Sequence, residues 1–345
     1  MNSSFAIWYE KKEKKKPPSI KLHINLWIND HKGRDIIDFG MMVSNPKSIK
    51  KLFFYIPFNI EDKNIELLTQ LLVDNPSISN LVFNSNVNIT VTESQIHPAK
   101  IDDKNIEFYT KGYNMCNSLE NVDFKEGTLM EFTFDSSLNK VDKYIRFRIK
   151  DVLSASIVTR TQRAVSFISG VSNMLVAFEI NMNQFRKLPK YINQKASTSF
   201  IDIERVDLFV MTNIQMNHSF SSIKDIKSRI LEKRDWIVYN KQLHDNENNN
   251  ILAYHFVTKA EHNTNTRDKY IKEFTIFNKF DYEEITKPYK AFLVIFLFGF
   301  IGSFIGNFFV RIDLTIILIT TFLLTTTISI LISSYFWLGM KKGKI

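Results

Sequence analysis

Cys116 is the one cysteine in the chain, so an intrachain disulfide framework is excluded and a reducing compartment is expected. Glycine is scarce: ten in 345 residues, with none forming a phosphate-cradling loop. There is no paired-cysteine metal site, no His-Glu-x-x-His helix and no Gly-x-Ser-x-Gly elbow. The seven histidines, at 23, 31, 97, 218, 244, 255 and 262, show no ligand spacing, and His255 within Tyr254-His255-Phe256 reads as a strand histidine. No metal, no cofactor and no catalytic residue is expected from these absences. The chain reads as a non-enzyme. Charge is missing altogether from Ala291–Val310 and from Leu314–Met340, runs of 20 and 27 residues parted only by Arg311-Ile312-Asp313.

A hydrocarbon core roughly 30 Å thick is crossed by about 20 apolar helical residues. Each uncharged run therefore predicts a transmembrane helix, at about 289–310 and 314–338, with Pro288 in the first turn. The hairpin occupies 288–340 and ends in a basic tail, 341–345. Lys287, Lys290, Lys341, Lys342 and Lys344 flank it, which places both termini on the cytoplasmic side of the cell's inner (plasma) membrane as a multi-pass protein. Met1-Asn2-Ser3-Ser4 opens no signal peptide. The Asn-x-Ser/Thr triplets at Asn88 and Asn217 then never meet glycosylation machinery.

The net charge of +9 is not spread evenly. Residues 288–345 hold five basic and one acidic residue, 1–18 hold five and two, and 19–287 are left at only +2. The basicity lies at the ends, which argues against general nucleic-acid binding. Lys11 to Lys16, followed by Pro17-Pro18, reads as part of a flexible basic leader over 1–18.

The body, 19–287, alternates like strands. Ile20, Leu22, Ile24, Leu26 and Ile28 hold every second position, as do Ile37, Phe39, Met41 and Val43. Further strands are expected at 52–58, 87–91, 106–110, 128–134, 143–149, 204–212, 236–240, 251–258 and 272–280. Three helices are expected: one capped by Asp62 with Ile65, Leu68, Leu71 and Leu72 on one side and ending before Asn75-Pro76, one from about Ser222 carrying Ile223, Ile226 and Ile230, and one over 183–193 broken at Pro189. The fold class is a β-rich α+β domain of antiparallel sandwich or barrel-like sheets, followed by the two-helix transmembrane hairpin. A subdomain boundary falls near 151–185 on this reading.

Tyr144-Ile145-Arg146-Phe147-Arg148-Ile149-Lys150 carries the sharpest local pattern. As a strand it sends Ile145, Phe147 and Ile149 to the core, and Arg146, Arg148 and Lys150 together to the other face, about 7 Å apart. Such a row either faces carboxylates in solvent or, joined by Arg160 and Arg163, holds an anion on forked donors. The anion would be a nucleotide second messenger or an acidic protein partner. In the spans, Gly299, Gly302, Ser303 and Gly306 share one arc of the wheel, with Asn307 next, and Gly302 and Gly306 allow close helix approach. Thr321, Thr325, Ser329 and Ser333 line one side of the second span. These faces predict packing within the hairpin, homo-oligomerisation or a pore lining; the alternative is hydroxyls bonded to carbonyls four residues back in their own helix.

The layout of a large N-terminal domain on two C-terminal spans resembles the two-transmembrane effectors of bacterial anti-phage systems. That resemblance implies a cytosolic sensor that responds to a soluble anionic ligand or partner, with oligomerised hairpins perturbing the lipid bilayer. Two C-terminal spans are also similar to CorA-type magnesium channels, although Gly306-Asn307-Phe308 stands where those carry Gly-Met-Asn. That second resemblance implies a divalent cation channel. A passive membrane tether for a cytosolic partner is the third alternative.

Overall fold

The computed structural model describes residues 3–12, 16–28, 35–116, 118–119, 122–123, 127–134, 141–150, 157–165, 171–197, 199–241, 250–260, 270–285, 289–309 and 319–331. They form two compact units, 1–163 with 173–283, and 164–172 with 284–345.

The first unit is β-rich, as the alternation predicts, and its sheets meet in one apolar core. Its largest sheet contains, in chain order, β2 (Ser19–Trp27), β3 (Ile36–Ser44), β5 (Ile65–Leu67), β6 (Val87–Ile89), β7 (Ile96–Ile101), β8 (Lys104–Tyr109), β13 (Asp142–Ile149), β16 (Asp202–Asn213), β18 (Ile226–Leu231) and β19 (Ile251–Lys259). Their spatial order is β18-β19-β16-β2-β3-β13-β8-β7-β6, with β5 also on β13. A second sheet runs β1 (Ala6–Lys11), β4 (Ile49–Ile56), β12 (Thr128–Thr133), β9 (Asn114–Cys116). A third runs β14 (Val158–Val165), β15 (Val171–Met182), β20 (Phe274–Ile285), β17 (Asn217–Ser221), and β10 (Ser118–Leu119) pairs with β11 (Val122–Asp123).

One face of the large sheet carries Ile20, Leu22, Ile24, Leu26, Phe39, Met41, Ile145, Phe147, Val206 and Leu208 into a single apolar core. Ile7, Phe54 and Met130 of the second sheet and Val176, Phe178 and Ile276 of the third meet them there. Phe39, Phe54 and Phe147 pack ring on ring at 4.9–5.6 Å between centroids, an arrangement that stabilises beyond area burial alone. The opposite face is covered over part of its width by α1 (Thr69–Asp74), α2 (Pro76–Phe83) and the segment that follows α4 (Lys233–Trp236). The helix α3 (Lys190–Ala196) lays Ile192 and Ala196 on Trp8, Phe53 and Tyr55, over the outer side of the second sheet.

Several sequence expectations are corrected. The leader expected at 1–18 contains β1, which pairs with β4, and its Ala6, Ile7 and Trp8 are buried, as is Phe5 just before it. The helix expected from Asp62 starts only at Thr69, after a 3-10 turn (Asp62–Asn64) and β5, and Asn75-Pro76 separates two helices rather than ending one. The helix expected from Ser222 is the strand β18: Ile226 and Ile230 lie four apart, but pairing with β19 decides the backbone. The strand expected at 236–240 is the last residue of α4 and the turns after it, with Trp236 and Tyr239 buried. The third helix begins at Lys190, just past the expected break at Pro189.

The largest correction concerns the second unit. Its first uncharged run forms α5 (Tyr289–Phe309), and a further helix is described over 319–331. Among the described residues no helix is long and apolar enough to cross a membrane. This overturns the expected transmembrane hairpin and the multi-pass inner-membrane placement. An uncharged run in the sequence is therefore not by itself a span. Arg311 and Asp313, the expected far-side turn, lie outside the described residues.

Candidate functional site

Ladder register places the polar residues of the large sheet in rows across its covered-and-open face. One row reads Tyr144–Met42–Lys21–Arg205–Lys259 across β13, β3, β2, β16 and β19. The next reads Arg146–Gly40–His23–Asp207–Val257, and the third Arg148–Asp38–Asn25–Phe209–His255 with Lys227 of β18 at its end. A fourth joins Ile36, Trp27, Met211 and Ala253 to Arg229. Residues directly opposite on neighbouring strands share a face, so every member of these rows projects to the same side.

The half of each row on β13 and β3 is buried. Asp38 accepts from Arg148 Nε at 2.7 Å and Nη2 at 3.2 Å, from Tyr239 Oη at 2.7 Å and from Trp27 Nε1 at 3.1 Å. Burial alone would raise the Asp38 carboxyl, but Arg148 holds it below the usual carboxylate range. Arg148 also donates to the Tyr239 carbonyl at 2.9 Å and lies 4.8 Å over that ring. Arg146 donates to Tyr239 Oη at 2.7 Å and to Tyr144 Oη at 2.8 Å. In the amide orientation that satisfies both ends, Asn25 accepts Arg146 Nη2 at 2.6 Å and donates to the Ile24 carbonyl at 3.2 Å.

The covering segments are fixed to the same strand. Where β5 ends, Leu68 N–H donates to the Arg146 carbonyl at 2.8 Å, and Thr69 Oγ1 accepts the Arg146 N–H at 2.8 Å. Gly40 leaves the space that the network needs, because a Cβ there would run into Tyr144 Oη and come within 2.8 Å of Arg146 Nη1. Sequence reasoning missed Asp38, Gly40 and Tyr239. An aspartate and a glycine on the polar side of an otherwise apolar strand, Ile37 to Val43, was the available signal.

The half on β2, β16, β19 and β18 is more open. Asp207 is buried at its centre, accepting from Arg205 Nε at 2.5 Å and from His255 Nε2 at 2.8 Å. Burial pushes its carboxyl up, but the bonds from His255 and Arg205 outweigh that and hold it at about 2. His23 is pushed down to about 4, first by burial and then by the nearby Arg146, with Asp207 opposing. His255 stacks flat on Phe209 with centroids 4.1 Å apart. Lys227, Arg229 and Lys259 are exposed, while Lys21 and Arg205 are part-exposed. Five permanent cations thus share this half with one buried carboxylate. Lys21 also reaches Glu204, at 3.7 Å.

The expected anion strip does not come together as a cleft. Arg146 and Arg148 are buried and satisfied as above, and Lys150 pairs in the open with Glu66 at 2.5 Å. Arg160 holds Asp35 through two buried bonds of 2.7 and 2.6 Å. Arg163 lies on β14 with its side chain outside the described residues. The row lies on the face away from the large core, where Arg146 and Arg148 are covered and Lys150 is not. On the core side of the same strand Lys143 is fully buried against Glu107, and burial together with Lys47 pushes its ammonium down to about 8.

In the second unit, a Cβ on Gly299, Gly302 or Gly306 would meet nothing within 4 Å, so no described helix packs into that groove. Ser303 is exposed, and Asn307 lies on α5 with its side chain outside the described residues. Thr325 donates to the Thr321 carbonyl at 2.9 Å, and Thr326 and Thr327 bond back to Phe322 and Leu323. These hydroxyls serve their own helix. Ser329 is exposed and Ser333 lies outside the described residues.

No group of three or more His, Cys, Asp or Glu among the described residues could hold a metal ion. No protein-family model matches the chain, and no curated protein matches it.

Proposed function

We propose that the chain is a binding module rather than an enzyme, and that the open half of the large sheet docks an acidic protein segment. The observation that carries this reading is the row register: Lys21, Arg205, Lys227, Arg229 and Lys259 project from four adjacent strands, with Asp207 the one carboxylate in the described rows of that half and Glu204 beside Lys21. Four strands at about 4.8 Å spacing span roughly 14 Å, and the rows repeat at about 7 Å, so the cations cover an area suited to an extended chain rather than a point charge.

The buried half adds to the attraction. Arg148 is bonded to Asp38, whereas Arg146 is held by the hydroxyls of Tyr239 and Tyr144, so two guanidinium groups lie beneath the surface with one carboxylate in contact among the described residues. Burial in low dielectric lets their charge act over a longer distance than a solvated one. Phe209 on His255 offers a flat apolar patch among the cations, as interface cores require. Complementary charge of this kind sets association rate and partner choice.

The test is a polarisation titration of the full chain with a fluorescent Glu-rich peptide of about 12 residues. Binding should weaken steeply between roughly 0.05 and 0.5 M salt, because exposed charges are screened. Arg205→Glu combined with Lys227→Glu should remove it. Equal affinity in the variant, or binding indifferent to salt, refutes this docking surface.

A further inference from the structure

A cleft of about 670 Å³ opens between the C-terminal end of α2 and the β18–α4 segment. Its walls include Asn80, Asn84, Arg229, Arg234, Asp235 and Val238. Arg229 is both a wall of this cleft and the end of the fourth row of the open sheet face, so the cleft continues the cationic surface. The volume lies within the range of small-molecule sites, about 300–1,000 Å³.

The walls are polar and carry two cations, Arg229 and Arg234, against one carboxylate, Asp235. Asn80 Oδ1 accepts the Val87 N–H at 2.7 Å, which fixes the amide and leaves its Nδ2 donors unassigned among the described residues. Asn84 sits in the left-handed region (φ 50°) at the end of α2, and its Oδ1 faces Arg229 Nη1 at 3.5 Å. Ser77, Ser85 and Asn86 complete the polar lining, and Arg234 stands beside Arg229, whose Nη1 is directed at Asn84. Asp235 is the one opposing carboxylate. The excess of cations favours an anionic ligand, and guanidinium groups match the oxygens of a phosphoryl group best.

We propose that this cleft is a phosphate-monoester subsite, and that the acidic segment docked on the sheet carries the phosphoryl group. This rests on the docking surface proposed above and specifies its partner: an acidic segment phosphorylated on a hydroxyl side chain. Val238, half exposed at the cleft wall, contacts the carbon stem that bears the phosphate.

Three probes separate the possibilities: a Glu-rich peptide with one phosphoserine, its unphosphorylated twin, and inorganic phosphate, each titrated into the full chain. The phosphopeptide should bind at least ~10-fold tighter than its twin, a gain of the size two charge-assisted forks supply. Arg234→Ala, at a residue outside the rows of the sheet, should remove most of that difference while the twin still binds, and Asp235→Asn should enlarge it. Arg234 is exposed, so circular dichroism should report an unchanged fold. No gain from phosphorylation, or a gain that survives Arg234→Ala, overturns the subsite. Inorganic phosphate binding as tightly as the phosphopeptide overturns the segment as the source and assigns the cleft to small phosphorylated solutes. A phosphopeptide that binds through Arg234 when the twin does not bind at all supports the cleft while refuting the sheet docking surface.

Discussion

The two halves of one sheet face are built from the same alternating chemistry and end in opposite states. On β13 and β3 the arginines are enclosed by Trp27, Tyr239 and the start of α1, and each guanidinium nitrogen is assigned to a named acceptor. On β16, β19 and β18 the cations stay at the surface, and only Arg205 is tied to a carboxylate on the same face, Asp207. A strand pattern states which side a residue takes; whether that side is solvent depends on what is laid over it. The charges of the covered half are satisfied internally, and those of the open half stay at the surface.

The sharpest way to break this contrast is at Asp38. Asp38→Ala leaves Arg148 without its ion-pair partner in a fully buried site, and should destabilise by about 3–5 kcal/mol. Chemical denaturation measures this, and a midpoint close to wild type would show the network to be far more hydrated than its geometry implies. Gly40→Ala is next. The added methyl must displace Tyr144 or Arg146, for a loss of about 1–3 kcal/mol without any change in charge.

Acid should act at the seam between the halves. Folded His23 takes its proton only near pH 4, whereas an unfolded histidine does so near 6.5. The unfolded chain thus binds the proton first. The stability tied to neutral His23 is whole above about pH 6.5 and is lost as pH falls toward 4, about 2 kcal/mol after solvent screening of a half-buried ring. His23→Gln should flatten stability against pH in that window. Asp207 works lower: its contribution is present above the ordinary carboxylate value of about 3.9 and disappears as pH falls toward about 2. The variant's curve should therefore retain the loss below pH 4; a curve flat throughout would mean that Asp207 does not hold its bonds from Arg205 and His255.

The smallest stability effect belongs to the open half. Lys227→Glu and Lys259→Glu should each shift stability by less than about 1 kcal/mol, since both side chains are exposed. Their effect should appear in peptide affinity instead. Large unfolding shifts with unchanged affinity would reverse the assignment of the two halves.

Period-two alternation determined more of this protein than any motif did. Ile20 to Ile28 and Ile37 to Val43 could be assigned to one apolar core from their spacing, because a pleated strand forces successive side chains to opposite faces. The same rule put Arg146 and Arg148 away from that core. The sequence did not reveal that α1, α2 and the 236–240 segment would cover them, nor that Asp38 and Tyr239, 201 residues apart, would meet there. Local pattern also misread β18, whose isoleucines fit a helix, and β1, which shows no alternation worth reading; both are decided by hydrogen bonds to partners distant in sequence, β19 and β4. It likewise read two uncharged runs as spans, where no described helix meets the length and apolarity of a crossing. The spacing of side chains along a strand is local geometry and is written in the sequence. What lies against each face is set by long-range packing, and only the tertiary structure decides it.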